Sequence, residues 1–432
     1  MINLTKLICG NVTISEIIKK DADKKASSLH FSSDKSPIVV WNMTRQCNLT
    51  CKHCYIQGQD KKSNNELTTN EAKAFIQDLA MIKVPILLFT GGEPLLRKDI
   101  FELCEFAANL GLRPVLSTNG ILITPDVTQS IKDAGFVYVG VSVDGMEDVH
   151  NEFRGVKNGF QLAWEGIRNC MDAELSAGIR FTVNKHNFED LPSVLDLAVK
   201  ESIPRFCLYH LVYTGRGKEM IKDDTDIEDK INLINFLVSK ASAISNMEIL
   251  TVDNPADGIY LYLQMGKWEN KGIGERENGR MELPISPTLP LPHSPLLHPE
   301  QLQEKEFPKR GALEIKTLLE MAGGCSAGQK IANVGPEGEV YPCQFWQDLP
   351  LGNIRNTPFS QIWQKKTEMF KHIKTNLKGK CGRCPYKELC GGCRVRAKVI
   401  YGDYLAEDPA CYIPKEEEME SNIEWGTYSK SR

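Results

Sequence analysis

Between Ser36 and Thr214 the chain alternates short apolar runs with amphipathic stretches, and this alternation limits its possible folds more than any other feature. The runs are PIVVWNM (37–43), PILLFTGG (85–92), RPVLSTNG (113–120), FVYVGVSVDG (136–145), GIRFTVN (178–184) and RFCLYHLVYTGRG (205–217). Unbroken apolar character marks strands covered on both faces. Strands alternating with helices form a parallel sheet with the helices outside. LTTNEAKAFIQDLAMI predicts one such helix: Thr68 and Glu71 make a capping box, and Ala72, Phe75, Ile76, Leu79 and Ala80 keep helical spacing. IFELCEFAANLG predicts another, closed by Gly111. Six strands suit an α/β partial (β/α)6 barrel better than a closed eight-stranded one. Its chemistry should lie at the carboxyl ends of the strands. There the runs turn small and polar, at Thr90-Gly91-Gly92-Glu93, Ser117-Thr118-Asn119-Gly120 and Ser142-Val143-Asp144-Gly145.

A chain of 432 residues with 41% hydrophobic composition exceeds one ordinary core. Its expected plan is an N-terminal extension (1–35), a core (36–217), a helical connection (218–270), an insert (271–311), a small Cys-rich domain (312–414) and a tail (415–432). The insert carries six prolines from Pro284 to Pro299 and a seventh at Pro308, with no periodicity, and reads as disordered. A net charge of −4 offers no basic field for nucleic acid. The opening residues lack the basic-then-apolar order of a secretory signal. The longest apolar run, Val84–Phe89, is too short for a bilayer. A cytoplasmic protein with no membrane or nucleic-acid partner is expected.

Fourteen cysteines are many for a reducing compartment, where structural disulfides are disfavoured. Clustered cysteines there bind metal or iron–sulfur centres. Cys9, Cys104, Cys170 and Cys207 are scattered and read as small buried apolar residues. Cys47, Cys51 and Cys54 are spaced C-x3-C-x2-C just after the first strand. Three thiolates on a 4Fe–4S cluster leave one iron open, as a catalytic zinc keeps one position for substrate. The remaining seven lie between Cys325 and Cys411, and their CxxC pairs fit structural zinc as well as iron–sulfur.

The trio followed by GGEP after the second strand resembles the radical SAM superfamily over Ser36 to Arg216. The resemblance implies a 4Fe–4S cluster on Cys47, Cys51 and Cys54 whose open iron chelates S-adenosyl-L-methionine. Gly91, Gly92 and Glu93 would hydrogen-bond the methionyl amino group while Pro94 turns the chain. His53 would lie near the adenine. Ser117, Asn119, Ser142 and Asp144 match positions that contact ribose or methionine, and Arg154 would pair with a carboxylate. The implied chemistry is a 5′-deoxyadenosyl radical that takes hydrogen from unactivated carbon, with an electron from a flavodoxin or ferredoxin. The C-terminal pattern resembles the SPASM extension from Gly323 to Pro414, with GEVYPC (338–343) as its hairpin and GNIRN (352–356) then IW (362–363) as its helix entry. By that plan Cys381, Cys384, Cys390 and Cys411 form one closed auxiliary cluster. Cys325, Cys343 and Cys393 supply a second, or only one forms. Two residues between Cys390 and Cys393, where the family often has three, put the role of Cys393 in question.

MINLTKLICGNVT, VVWNMTRQCNLTCKHCY and YHLVYTGRG resemble the tetrapyrrole branch, the haem and haem d1 biosynthesis enzymes of the alternative haem pathway. An iron tetrapyrrole is then the expected small-molecule substrate, altered at its carboxylate side chains, as in didecarboxysiroheme deacetylation. Arg45, Arg113, Arg180 and Arg216 would bind those carboxylates. His210 reads either as a satisfied core histidine or as facing the substrate iron. Two alternatives stand beside this: a peptide- or protein-modifying SPASM maturase, and a non-catalytic iron–sulfur or zinc protein.

Overall fold

The computed structural model describes residues 1–9, 36–244, 246–270, 312–322, 324–366 and 368–414. In chain order its strands are β1 (Ile2–Asn3), β2 (Ile38–Asn42), β3 (Leu87–Thr90), β4 (Pro114–Thr118), β5 (Tyr138–Ser142), β6 (Ala177–Val183), β7 (Arg205–His210), β8 (Glu248–Val252), β9 (Ile331–Val334), β10 (Glu339–Tyr341) and β11 (Gly352–Asn353). They form one sheet, ordered β1-β8-β7-β6-β5-β4-β3-β2-β9-β10-β11. From β2 to β8 every neighbouring pair is parallel, and β9 joins parallel to β2. The end strands β1 and β11 are not neighbours, so the sheet stays open as a partial barrel.

The six expected strands are β2 to β7. β8 is an additional parallel strand inside the stretch expected to be helical. Its sequence, EILTV, opens on a charge, which hides it from an apolar-run reading. Glu248 is nevertheless buried, because its Oε2 accepts from Arg205 Nε on β7 at 2.6 Å. β1 pairs antiparallel with β8, so the start of the N-terminal extension belongs to the core sheet. Likewise the C-terminal hairpin does not stand apart: β9 extends the sheet with Val39 opposite Ala332. Buried amides cross that join, Asn42 Nδ2 donating to Asn333 Oδ1 at 3.2 Å and Asn333 Nδ2 to Val40 O at 3.0 Å.

The helix Thr69–Met81 starts at the expected capping box and buries Ala72, Phe75, Ile76 and Leu79. Each large apolar side chain so placed contributes about 1.5–3 kcal/mol. Phe75 meets Trp41 of β2 edge-on at 5.6 Å, which seats this helix on the sheet. The helix Ile100–Asn109 ends before Gly111, whose φ of +80° suits glycine. Cys104, Cys170 and Cys207 are core residues, as expected. The proline-rich insert (271–311), the tail (415–432) and residues 10–35 lie outside the described residues. Among the described residues no helix is long and apolar enough to cross a membrane.

Candidate active site

Beyond Asn42 the chain leaves β2 in the loop that carries Cys47, Cys51 and Cys54, and neighbouring elements grip it on three sides. From β3, Gly92 N donates to Thr44 O and Glu93 N to Gln46 O, both at 2.7 Å. A Cβ on Gly92 would stand 2.2 Å from Gln46 O, and one on Gly91, at φ +151°, 2.6 Å from Thr44 O. The two glycines are therefore required for backbone to lie on backbone. From the helix Glu147–Arg154, Phe153 O and Arg154 O accept from Lys52 N (3.0 Å) and Thr50 N (3.3 Å). From the segment after β7, Arg216 N donates to Cys54 O at 3.0 Å and Arg216 Nε to Cys51 O at 2.7 Å.

The sulfurs themselves are solvated by the protein. Cys47 Sγ accepts from Leu49 N at 3.4 Å, Cys54 Sγ from Gly58 N at 3.4 Å, and Cys51 Sγ from Arg154 Nη1 at 3.5 Å. As free thiols Cys47 and Cys51 stay protonated: burial pushes Cys47 up to about 12 and raises Cys51. Metal coordination reverses this, since a ligating thiol gives up its proton. Three thiols on one clamped loop, two buried and one half-buried, already receiving donors, fit an iron–sulfur cluster.

All three cysteines line a single cavity at the carboxyl edge of the sheet, together with Gly91, Gly92, Ser117, Asn119, Ser142, His53 and Arg154. Glu93, Pro94 and Asp144 stand behind its wall. Glu93 is fully buried, and its carboxylate is committed: Oε1 accepts from Thr118 Oγ1 (2.7 Å) and Leu95 N (3.1 Å), Oε2 from Asn119 N (2.8 Å). Burial outweighs those donors and raises it to about 7. Its position makes it the tie between β3 and the end of β4. Pro94 opens the short turn Pro94–Leu96 that follows. Asn119 Nδ2 donates to Asn48 Oδ1 of the cysteine loop at 2.8 Å.

Asp144 is the hub behind Ser142. Its Oδ2 is bonded to Arg154 Nη2, and its Oδ1 accepts from Thr182 N at 2.6 Å. Burial opposes its charge, but Arg154 with the other donors holds it below the usual carboxylate range. His53 lies 3.7 Å from Asp144, yet burial pulls it down to about 4, so it is neutral and no ion pair forms. It stacks on Phe153, with ring centroids 4.8 Å apart.

Sequence reasoning missed Gln344, Phe345 and Asp253, whereas Arg180, one of the four arginines expected at substrate carboxylates, does line the cavity. Gln344 and Phe345 reach the cavity from just past Cys343. Asp253 follows β8, the strand whose charged start conceals it in the sequence. His210 also lines the cavity, with Nε2 2.9 Å from Asp257 Oδ2, whose Oδ1 accepts from Tyr412 OH at 2.8 Å.

Six of the seven C-terminal cysteines fall into two neighbourhoods. Cys343 has Cys325 and Cys393 as neighbours, and Cys393 has Cys325. Cys390 has Cys411 and Cys381, and Cys411 has Cys381. Cys384 follows directly on the helix Gly379–Arg383 that carries Cys381. Cys325, Cys343 and Cys393 thus lie near one another, as do Cys381, Cys390 and Cys411. The short Cys390-Gly-Gly-Cys393 spacing is accommodated by Gly391 at φ +71° and Gly392 at φ +57°. Consecutive left-handed residues would cost other residue types about 1–2 kcal/mol each. Asp408 ties the two neighbourhoods: its N donates to Cys381 Sγ (3.4 Å) and its Oδ2 accepts from Cys393 N (2.6 Å).

A family model of the Radical SAM superfamily matches residues 41–198, and one of the SPASM iron-sulfur cluster-binding domain matches residues 325–394. The chain belongs to the radical SAM superfamily, with a SPASM extension: it is an enzyme that uses a 4Fe–4S cluster, S-adenosylmethionine and auxiliary iron–sulfur centres. Within that superfamily it is 39% identical to Fe-coproporphyrin III synthase of Methanosarcina barkeri, over 96% of this chain and 98% of the relative. It is 34% identical to pre-heme d1 synthase of Dinoroseobacter shibae, over 87% and 86% respectively. Among solved structures, Streptococcus suis SuiB bound to S-adenosylmethionine superposes with a TM-score of 0.60 at 17% identity, covering 92% of this chain and 81% of SuiB. That likeness shows the fold.

Proposed function

We propose that this enzyme alters carboxylate side chains of an iron tetrapyrrole, as in didecarboxysiroheme deacetylation or a related haem or haem d1 step. The near full-length likeness to Fe-coproporphyrin III synthase carries this reading. The peptide-modifying alternative shares the fold, but the SuiB structure, also solved with its precursor peptide SuiA, is only 17% identical. A non-catalytic iron–sulfur or zinc protein does not agree with an open three-thiol loop beside Gly91-Gly92.

Cys47, Cys51 and Cys54 would hold the catalytic cluster. Gly91, Gly92, Ser117, Asn119, Ser142, His53 and Arg154 would line the S-adenosylmethionine side, with Glu93, Pro94 and Asp144 supporting them from behind. When bound, the cluster and S-adenosylmethionine supply a 5′-deoxyadenosyl radical that removes hydrogen from unactivated carbon. The protein's task is to orient the reactants and exclude water. Leu49, Ile56 and Leu88 give the cavity apolar wall, and Phe345 reaches in from the SPASM hairpin. Cys381, Cys384, Cys390 and Cys411 would hold one auxiliary cluster, and Cys325, Cys343 and Cys393 a second. A flavodoxin or ferredoxin in the cytoplasm suits a chain with fourteen cysteines. The test is anaerobic incubation of reduced enzyme with didecarboxysiroheme and related siroheme derivatives, read by product mass. Loss of acetate-sized mass is expected; an unchanged mass across the panel sinks the tetrapyrrole reading.

A further inference from the structure

We infer that Arg180 anchors a substrate carboxylate in the cavity that the cysteine loop also lines; this rests on the tetrapyrrole reading above. The cavity and its surroundings hold several arginines, and the structure separates them. Arg45 is spent on Glu337 (3.1 Å) and Ile56 O (3.1 Å). Arg216 is spent on Cys51 O (2.7 Å), and Arg154 on Asp144 and Cys51. Arg113 does not line the cavity.

Arg180, on β6, does line it, and no described residue gives it a carboxylate at ion-pair distance. Its placement is built. A Cβ on Gly140 of the neighbouring strand β5 would come within 2.9 Å of Arg180 Cδ, so the glycine leaves room for the side chain to lie across the sheet. Its guanidinium then rests 4.5 Å over the Tyr209 ring of β7. Stacking fixes the plane and leaves the edge donors free, and that fork matches a carboxylate bidentately. A half-buried cation with no counter-ion is costly unless a ligand supplies one.

Asp253 does not supply it. It lines the same cavity, and its Oδ2 is buried without a partner. The backbone at Asp253 is left-handed, at φ +69°. A cation and an anion thus share one cavity without meeting. β6 lies four strands along the sheet from β2, whose loop carries the thiols. A carboxylate held on Arg180 would leave the rest of the substrate to extend toward that loop.

The test is an anaerobic Soret-band titration of the reconstituted full-length enzyme with iron coproporphyrin III, a tetracarboxylate, and with its tetramethyl ester. Wild type is expected to prefer the acid. Arg180→Gln is expected to lose about tenfold or more for the acid, the scale of one charge-assisted contact, and little for the ester. Circular dichroism and iron content check that the variant is folded. Should R180Q not fold, R180K decides: it keeps the charge without the fork and should lose several-fold for the acid alone. Unchanged acid affinity, or equal loss for acid and ester, overturns the inference while leaving the tetrapyrrole reading intact. Failure of wild type to bind either porphyrin overturns both.

Discussion

Arg154 Nη1 lies 3.5 Å from the Cys51 sulfur while Nη2 is bonded to Asp144, so one guanidinium joins the cysteine loop to the end of β5. A hydrogen bond to a charged group contributes about 1.5–3 kcal/mol, and a buried pair that loses one partner costs about 3–5 kcal/mol. Arg154→Gln should therefore lower the melting temperature by several degrees and cut S-adenosylmethionine cleavage roughly ten- to a hundredfold. Arg154→Lys, with the charge but not the two-sided fork, should fall between. Cleavage is read as 5′-deoxyadenosine by chromatography. A folded R154Q with wild-type cleavage would show that the contact does nothing for the site.

Gly92 tests the second grip on the loop. Its absent Cβ leaves room for Gln46 O, which a methyl group would approach to 2.2 Å, and backbone cannot yield cheaply. Gly92→Ala should displace the loop and lose the share of iron held by Cys47, Cys51 and Cys54. The SPASM iron should remain, because its cysteines lie on other elements. Iron counts per chain and electron paramagnetic resonance of the reduced protein separate these pools. Full iron in G92A would mean that the backbone contact is dispensable.

The strands β2 to β7 were legible because each is an unbroken apolar run with a helix between. β8 was not, because Glu248 opens it and only the fold brings Arg205 to neutralise that charge. With β8 hidden, Asp253 at its end was hidden too. The C-terminal hairpin was legible as a hairpin, but nothing local in GEVYPC announces that Ile331–Val334 will pair with β2. At the site, the cysteine spacing and the paired glycines point to the chemistry through their resemblance to the radical SAM superfamily. Side-chain direction is different: the sequence offers Glu93 as a cavity group, whereas Thr118, Leu95 and Asn119 take up its oxygens behind the wall. The same limit applies to the arginines, since which of them keeps a free edge depends on partners distant in the chain.

Arg396 and Asp408 form a fully buried bidentate pair, Nε to Oδ1 and Nη2 to Oδ2, both at 2.9 Å. Arg396 also donates to Leu211 O of the core at 3.2 Å. Asp408→Asn would leave that guanidinium buried and uncompensated, for an expected loss of about 3–5 kcal/mol. Because Asp408 also receives Cys393 N, the auxiliary iron should become labile to chelator while the Cys47–Cys54 site stays loaded. Thermal unfolding and iron release rates measure the two effects. An unshifted melting curve in D408N would contradict the role of this pair.

Asp253 sets a pH signature. Burial raises it from its ordinary 3.8 to about 6, against the pull of the amino terminus and of the Arg396 and Arg180 guanidiniums. Between those two values the native chain binds more protons here than the unfolded chain does, so stability falls as pH rises. The contribution is fully present below about pH 4 and lost once pH has passed about 6. Asp253→Asn removes the slope. Denaturant unfolding of D253N and wild type should therefore differ more at pH 7.5 than at pH 5, with the variant gaining relative stability at the higher pH. Parallel pH profiles for the two proteins would show that Asp253 is ionised at its ordinary value and not held in a desolvated wall.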